Sequence, residues 1–140
     1  MRRRHIWTMA LSLALLVTGG GAVVALAQQT APPGGEYKKV STLVALPDFV
    51  PGLGTLYVDP KTLPAGPFLA YDKQGHLVSS VYMIPLKDIT GHKAFNNLAV
   101  AREKVDHVDM YYNAGHPGVA EPHYHVVLWY VSPDKAAALK

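Results

Sequence analysis

The stretch that decides the fold runs from Val105 to Val131, "VDHVDMYYNAGHPGVAEPHYHVVLWYV". Two apolar-rich segments flank ten residues, "NAGHPGVAEP", that carry two glycines and two prolines. Side chains on a strand alternate between its faces, so His107, Asp109 and Tyr111 share one face of the first segment. His123, His125, Val127 and Trp129 share one face of the second, and Tyr124, Val126, Leu128 and Tyr130 the other. If the ten residues close a hairpin, Asp109 comes opposite or diagonal to His125, and Tyr111 near His123. A slip of one residue would turn the two sets to opposite sides of the sheet.

The same pattern recurs in the rest of the chain. "TLYVD", "FLAYD", "HLVSSVYMIPL" and, at the N-terminal side, "VSTLVAL" are short segments rich in Val, Leu and Tyr, separated by Pro and Gly. Such spacing predicts a mainly β protein: an antiparallel sheet, closed as a sandwich or small barrel. "FLAYD-KQG-HLVSS" reads as a hairpin with Gly75 at a left-handed turn position. Helix is confined to one or two turns in "LKDITGHKAFNNLAVAREK" and a C-terminal helix in "SPDKAAALK", with Ser132 as N-cap and Pro133 at N1.

The first 27 residues read as an export signal. "MRRRHIW" is a basic n-region, an apolar core follows, and Ala25-Leu26-Ala27 offers a small-x-small cleavage site before Gln28. An uncleaved anchor is the alternative, since the apolar run approaches the roughly 20 residues that a bilayer needs. Arg3-Arg4-His5-Ile6-Trp7 also fits a loose twin-arginine pattern, so the export route stays open between that and the general secretory one. The expected organisation is a signal peptide over 1–27, a flexible Pro/Gly-rich leader over 28–39, and one β-rich domain over 40–140. The expected location is periplasmic or extracellular, with the membrane met only during export.

Removing the signal changes the charge. Of thirteen Lys and Arg, three (Arg2, Arg3 and Arg4) lie in it, so ten basic residues face ten acidic ones in the mature chain. No basic stripe remains for a phosphate backbone, and nucleic acid is excluded as a partner. The chain has no cysteine, so it has no disulfide, no thiolate nucleophile and no thiolate metal ligand. Ser41, Ser79, Ser80 and Ser132 sit in no nucleophile-elbow context, and no Gly-rich loop follows a strand to cradle phosphate. Gly115, Pro117, Gly118 and Pro122 read as turn-setting residues, and Trp129 as core or interface.

Chemistry, if present, rests on the histidines. Two of them at i and i+2 on a strand stand side by side, about 6.5–7 Å apart at the backbone, and can turn ring nitrogens onto one ion. The candidate metal ligands are therefore His123 and His125, with a third among His107, Asp109 and His116, and Glu121 as another carboxylate within reach. Zinc is the divalent cation such donors suit. The alternative is that these histidines are satisfied by hydrogen bonds or stack at a subunit interface. The H-x-H start resembles the cupin metal motif, but Leu128 and Trp129 stand where its glutamate is expected.

"YYNAGHPG" followed by "EPHYHVVLWY" resembles a family of small exported bacterial proteins of unknown function, in which a G-H-P loop leads into a P-H-[FY] strand. Its structural prototype, from a thermophile, is a ring-forming homo-oligomer under extracytoplasmic sigma and anti-sigma control. His116, Pro117, Pro122, His123, Tyr124 and Tyr130 match. His125 stands where an acidic residue is common, and Val127 where a second histidine is usual. The resemblance implies an envelope location, a β-rich fold, self-assembly and no established activity. A small domain without disulfides also gains from burying apolar surface between copies, and its eight tyrosines suit an interface. Two functions follow: a non-catalytic, stress-regulated homo-oligomeric binding or scaffold protein, which the incomplete ligand set favours, or a metal-dependent β-barrel enzyme or metal carrier of cupin-like type.

Overall fold

The computed structural model describes residues 28–140; the signal-peptide reading of 1–27 lies outside them. Six strands form one antiparallel sheet: β1 (Lys38–Lys39), β2 (Thr55–Val58), β3 (Phe68–Tyr71), β4 (Leu77–Pro85), β5 (His107–Asn113) and β6 (His123–Trp129). Their spatial order is β1-β2-β3-β4-β6-β5, so β6 returns between β4 and β5 and leaves β5 at the edge. The sheet is open rather than closed as a barrel or doubled as a sandwich. Its two ends do not meet: β1 has only two residues, and β5 pairs with β6 alone among the described strands.

What covers the sheet is irregular chain rather than a second sheet. Leu56, Val58, Phe68, Ala70, Val81, Met83, Val127 and Trp129 share one face by their register, and most of them form the main core with Val40 and Leu139. Val44, Leu46, Phe49 and Leu53 pack onto them from the segment before β2. That segment, "VSTLVAL", is not the strand its composition predicts. Val40–Thr42 form a 3-10 turn, and Pro47 and Pro51 nearby lack the N–H groups a ladder requires. The other face holds a smaller cluster of Tyr57, Leu69, Tyr71, Leu77 and Ala101.

Both hairpins form. Gly75 turns between β3 and β4 at φ +83°, and the Asp72 carboxylate accepts from the N–H groups of Gln74 (2.9 Å) and His76 (2.8 Å). The helices are α1 (Leu86–Thr90) and α2 (Pro133–Ala137). Ser132 is the N-cap of α2 by position, but its side chain makes no capping bond. Gln28, Thr30 and Ala31 lie against the β3–β4 hairpin. Thr30 bridges to His76, the Ala31 N–H donates to the Gly75 carbonyl at 2.8 Å, and the Tyr71 hydroxyl donates to the Gln28 carbonyl at 2.6 Å. Among the described residues no helix is long and apolar enough to cross a membrane.

Candidate functional site: a histidine trio at the end of an apolar cavity

β6 alternates strictly between buried and half-buried positions, and His123 and His125 fall on its buried side. They are 0% and 5% exposed, unusual for histidine and therefore informative. The hairpin register sets Tyr111 opposite His125 and Asn113 opposite His123. The faces are as the sequence predicts, but the pairing is displaced by two residues, which leaves Asp109 opposite Val127 and His107 opposite Trp129.

This displacement sorts the five candidate ligands. His107 and Asp109 share the face of the histidine pair but are engaged further along it. The His107 ring stacks on Trp129 at 5.9 Å, its Nδ1 lies 2.9 Å from the Asp106 carboxylate, and Asp109 accepts the Trp129 indole N–H at 2.8 Å. Glu121 turns its carboxylate outward to Lys87 at 2.7 Å. His116 is the residue that joins His123 and His125. Ring nitrogens of these three all lie within 4.8 Å of one another.

The loop chemistry explains how His116 reaches them. His116-Pro117-Gly118-Val119 is a tight turn in which His116 and Val119 exchange backbone hydrogen bonds at 2.9 Å. Pro at the second position and Gly at the third, with φ +87°, are what a type II turn requires. Gly118 also packs on Val44, where a Cβ would come within 2.7 Å of a methyl group. Gly115, at φ +128°, folds the loop back, and Asn113 accepts its N–H at 2.8 Å. The His116 ring thus stands edge-on to His123, with centroids 4.9 Å apart, and 5.6 Å from His125.

The second ring nitrogens are all engaged. His123 Nδ1 donates to the Glu121 carbonyl at 2.7 Å, and His116 Nδ1 to the Pro117 carbonyl at 3.0 Å. His125 Nδ1 meets the Tyr111 hydroxyl at 3.1 Å. His123 Nε2 and His125 Nε2 face each other at 3.0 Å. Burial, with the neighbouring imidazoles of His123 and His116, pushes His125 down to about 4, so it is neutral at neutral pH. Burial first, then Asp109, raises the Tyr111 phenol, which keeps it a hydroxyl that can donate or accept.

His116, His125, Tyr111 and Asn113 form the polar end of a cavity of about 400 Å³ whose other walls are Val40, Val44, Leu46, Leu56, Val58, Phe68, Val81 and Met83. A volume in this range with apolar walls and a few convergent polar groups is the usual form of a small-molecule site. The sequence does not predict the cavity. Its outer wall comes from the irregular segment before β2, where periodicity carries no signal.

No curated protein matches the chain. A sequence profile of the TTHB210-like family, described as "Hypothetical protein TTHB210", matches residues 72–112. That span covers β4 and nearly all of β5 but stops before the G-H-P loop and β6. Among solved structures, the crystal structure of hypothetical protein TTHB210 from Thermus thermophilus is 48% identical, with a TM-score of 0.62 over 67% of this chain and 92% of that one. At that identity over nearly all of the Thermus protein, the chain belongs to the TTHB210-like family.

Proposed function

We propose that this is an exported, homo-oligomeric envelope protein that binds a small, largely apolar molecule carrying one polar group. The observation that carries the reading is the cavity of about 400 Å³ between the sheet and the 40–53 segment, lined mostly by apolar residues and polar at Tyr111, His116 and His125. A ligand lying in it buries its apolar part against Val58, Phe68 and Met83 and sets its polar group against the hydroxyl and imidazoles, which fix its orientation.

Export is supported by the basic n-region, apolar core and Ala-Leu-Ala site of residues 1–27. Stress-linked control rests on the sequence resemblance alone. Assembly with further copies is supported by β5. It is a seven-residue edge strand, and its outward face presents Val108, Met110 and Tyr112 at 56%, 60% and 52% exposure. Unpaired edge groups beside exposed apolar side chains invite pairing with another strand. Among the described residues no serine, thiol or carboxylate pair forms a catalytic constellation around the cavity, and a binding role needs none.

The test uses an environment-sensitive apolar fluorophore titrated into the purified mature chain. Saturable binding of one probe per chain, abolished in Val81→Trp, where the added ring fills the cavity, is the expected result. Binding that does not saturate, or that is unchanged in folded Val81→Trp, overturns the reading.

A further inference from the structure

We propose that His116, His123 and His125 bind one divalent transition-metal ion of the zinc class through three imidazole nitrogens, with a fourth position left to water or to the polar group of a cavity ligand. The proposal does not depend on the cavity being a binding site, because the three ligands and their supports come from the chain itself.

Proton placement carries the inference. Carbonyl oxygens only accept, so the short contacts of His123 Nδ1 to Glu121 (2.7 Å) and of His116 Nδ1 to Pro117 (3.0 Å) put the ring proton of each on Nδ1. Each of these two imidazoles is then left with a bare lone pair on Nε2. His125 Nε2, 3.0 Å from His123 Nε2, can satisfy that one by carrying its own proton, with the Tyr111 hydroxyl then donating to His125 Nδ1. One proton, on His125, therefore serves two lone pairs, those of His123 and His116, in a cluster whose ring nitrogens lie within 4.8 Å of one another. A cation accepts one lone pair from each of the three rings. His125 takes its proton on Nδ1 instead and donates it to the same Tyr111 hydroxyl, so the change of tautomer needs no new partner.

The spacing is close to what an ion requires. Nitrogens on one tetrahedral zinc at about 2.0–2.1 Å stand about 3.3 Å apart. The His123–His125 separation of 3.0 Å opens by a few tenths of an ångström, and the turn-borne His116 closes the remaining distance. An acceptor on the second nitrogen of each ring is the arrangement that orients histidine ligands around metals. Three neutral nitrogen donors with no carboxylate select a borderline transition metal over calcium or magnesium.

The experiment strips the untagged mature chain with a chelator, equilibrates it with zinc, desalts it, and measures bound zinc by elemental analysis and affinity by chelator competition. One zinc per chain is expected. His116→Ala, which alters a turn outside the sheet, should keep the wild-type circular dichroism spectrum and lose at least about a hundredfold in affinity, while Tyr111→Phe loses about tenfold. His107→Ala should bind as the wild type does. A folded wild-type chain that retains no zinc overturns the proposal. So does a folded His116→Ala variant that binds as tightly as wild type, or a His107→Ala loss equal to that of His116→Ala. Zinc binding and fluorophore binding are read separately, so either can fail without the other.

Discussion

β4 and β5 flank the same strand, pair with it in seven-residue registers, and differ in almost everything else. All nine residues of β4 are buried, whereas β5 runs from half-buried at its ends to exposed along its centre. β4 lies between β3 and β6 with chain packed over both faces, so its sequence is close to a continuous apolar run, as a doubly covered strand requires. β5 keeps the alternation of a half-covered strand. Val108, Met110 and Tyr112 point away from the core, and His107, Asp109 and Tyr111 point toward Trp129 and His125. The contrast teaches that stability and chemistry are carried by opposite sides of β6: the β4 side holds the fold together, and the β5 side supplies surface and polar contacts.

Breaking this contrast should show first in stability. Ile84→Ala on β4, 9% exposed, should lower the unfolding free energy by about 2–5 kcal/mol in urea titration. Met110→Ala on β5, 60% exposed, should change that of the single chain by no more than about 0.5 kcal/mol. Equal losses would mean that β5 is covered in solution by something that unfolds with it.

The next effect is alkaline. The Tyr82 hydroxyl on β4 is buried against the Ala99 carbonyl, and burial above all pushes its phenol up to about 12. The folded state thus holds this proton more tightly than the unfolded chain, whose tyrosines ionise near 10. The associated stability is fully present below pH 10 and lost as pH rises from 10 through 12. Urea midpoints across that range should fall steeply in the wild type and less in Tyr82→Phe; parallel curves would remove Tyr82 as a cause.

A change of assembly without a change of fold sharpens the comparison from the other side. The double variant Met110→Lys with Tyr112→Lys should keep its circular dichroism spectrum, while light scattering falls to the mass of one chain. A wild-type protein already at that mass would defeat the assembly reading. The smallest expected effect is at Val108→Thr, under about 0.5 kcal/mol, which calorimetry on the double-lysine background would check.

Strands β2 to β6, the two hairpins and the face shared by the histidines were legible because each depends on period-two alternation or on a Pro/Gly turn signal within a few residues, and the C-terminal helix was legible from Pro133 at its first position. The register was not. A loop that spends four of its residues on the His116–Val119 turn pairs the strands two residues away from the simplest count. That offset removes His107 and Asp109 from the cluster and gives them to Trp129, while the loop residue His116 takes the third place. Nor was the cover legible. Val44, Leu46 and Leu53 resemble strand residues in composition, and only their packing on the main sheet face, with Val44 also against Gly118, shows them to be a cavity wall.

In the proposed binding function, the covered face beside the histidine trio, and not the exposed face of β5, receives the small molecule. Backbone amide spectra recorded while an apolar fluorophore is titrated into the chain test it most directly. Saturable shifts are expected at Val44, Phe68, Met83, Val119 and His125, with Val108, Met110 and Tyr112 unmoved. Shifts concentrated on those three β5 residues, or none in the cavity at saturating probe, would contradict it.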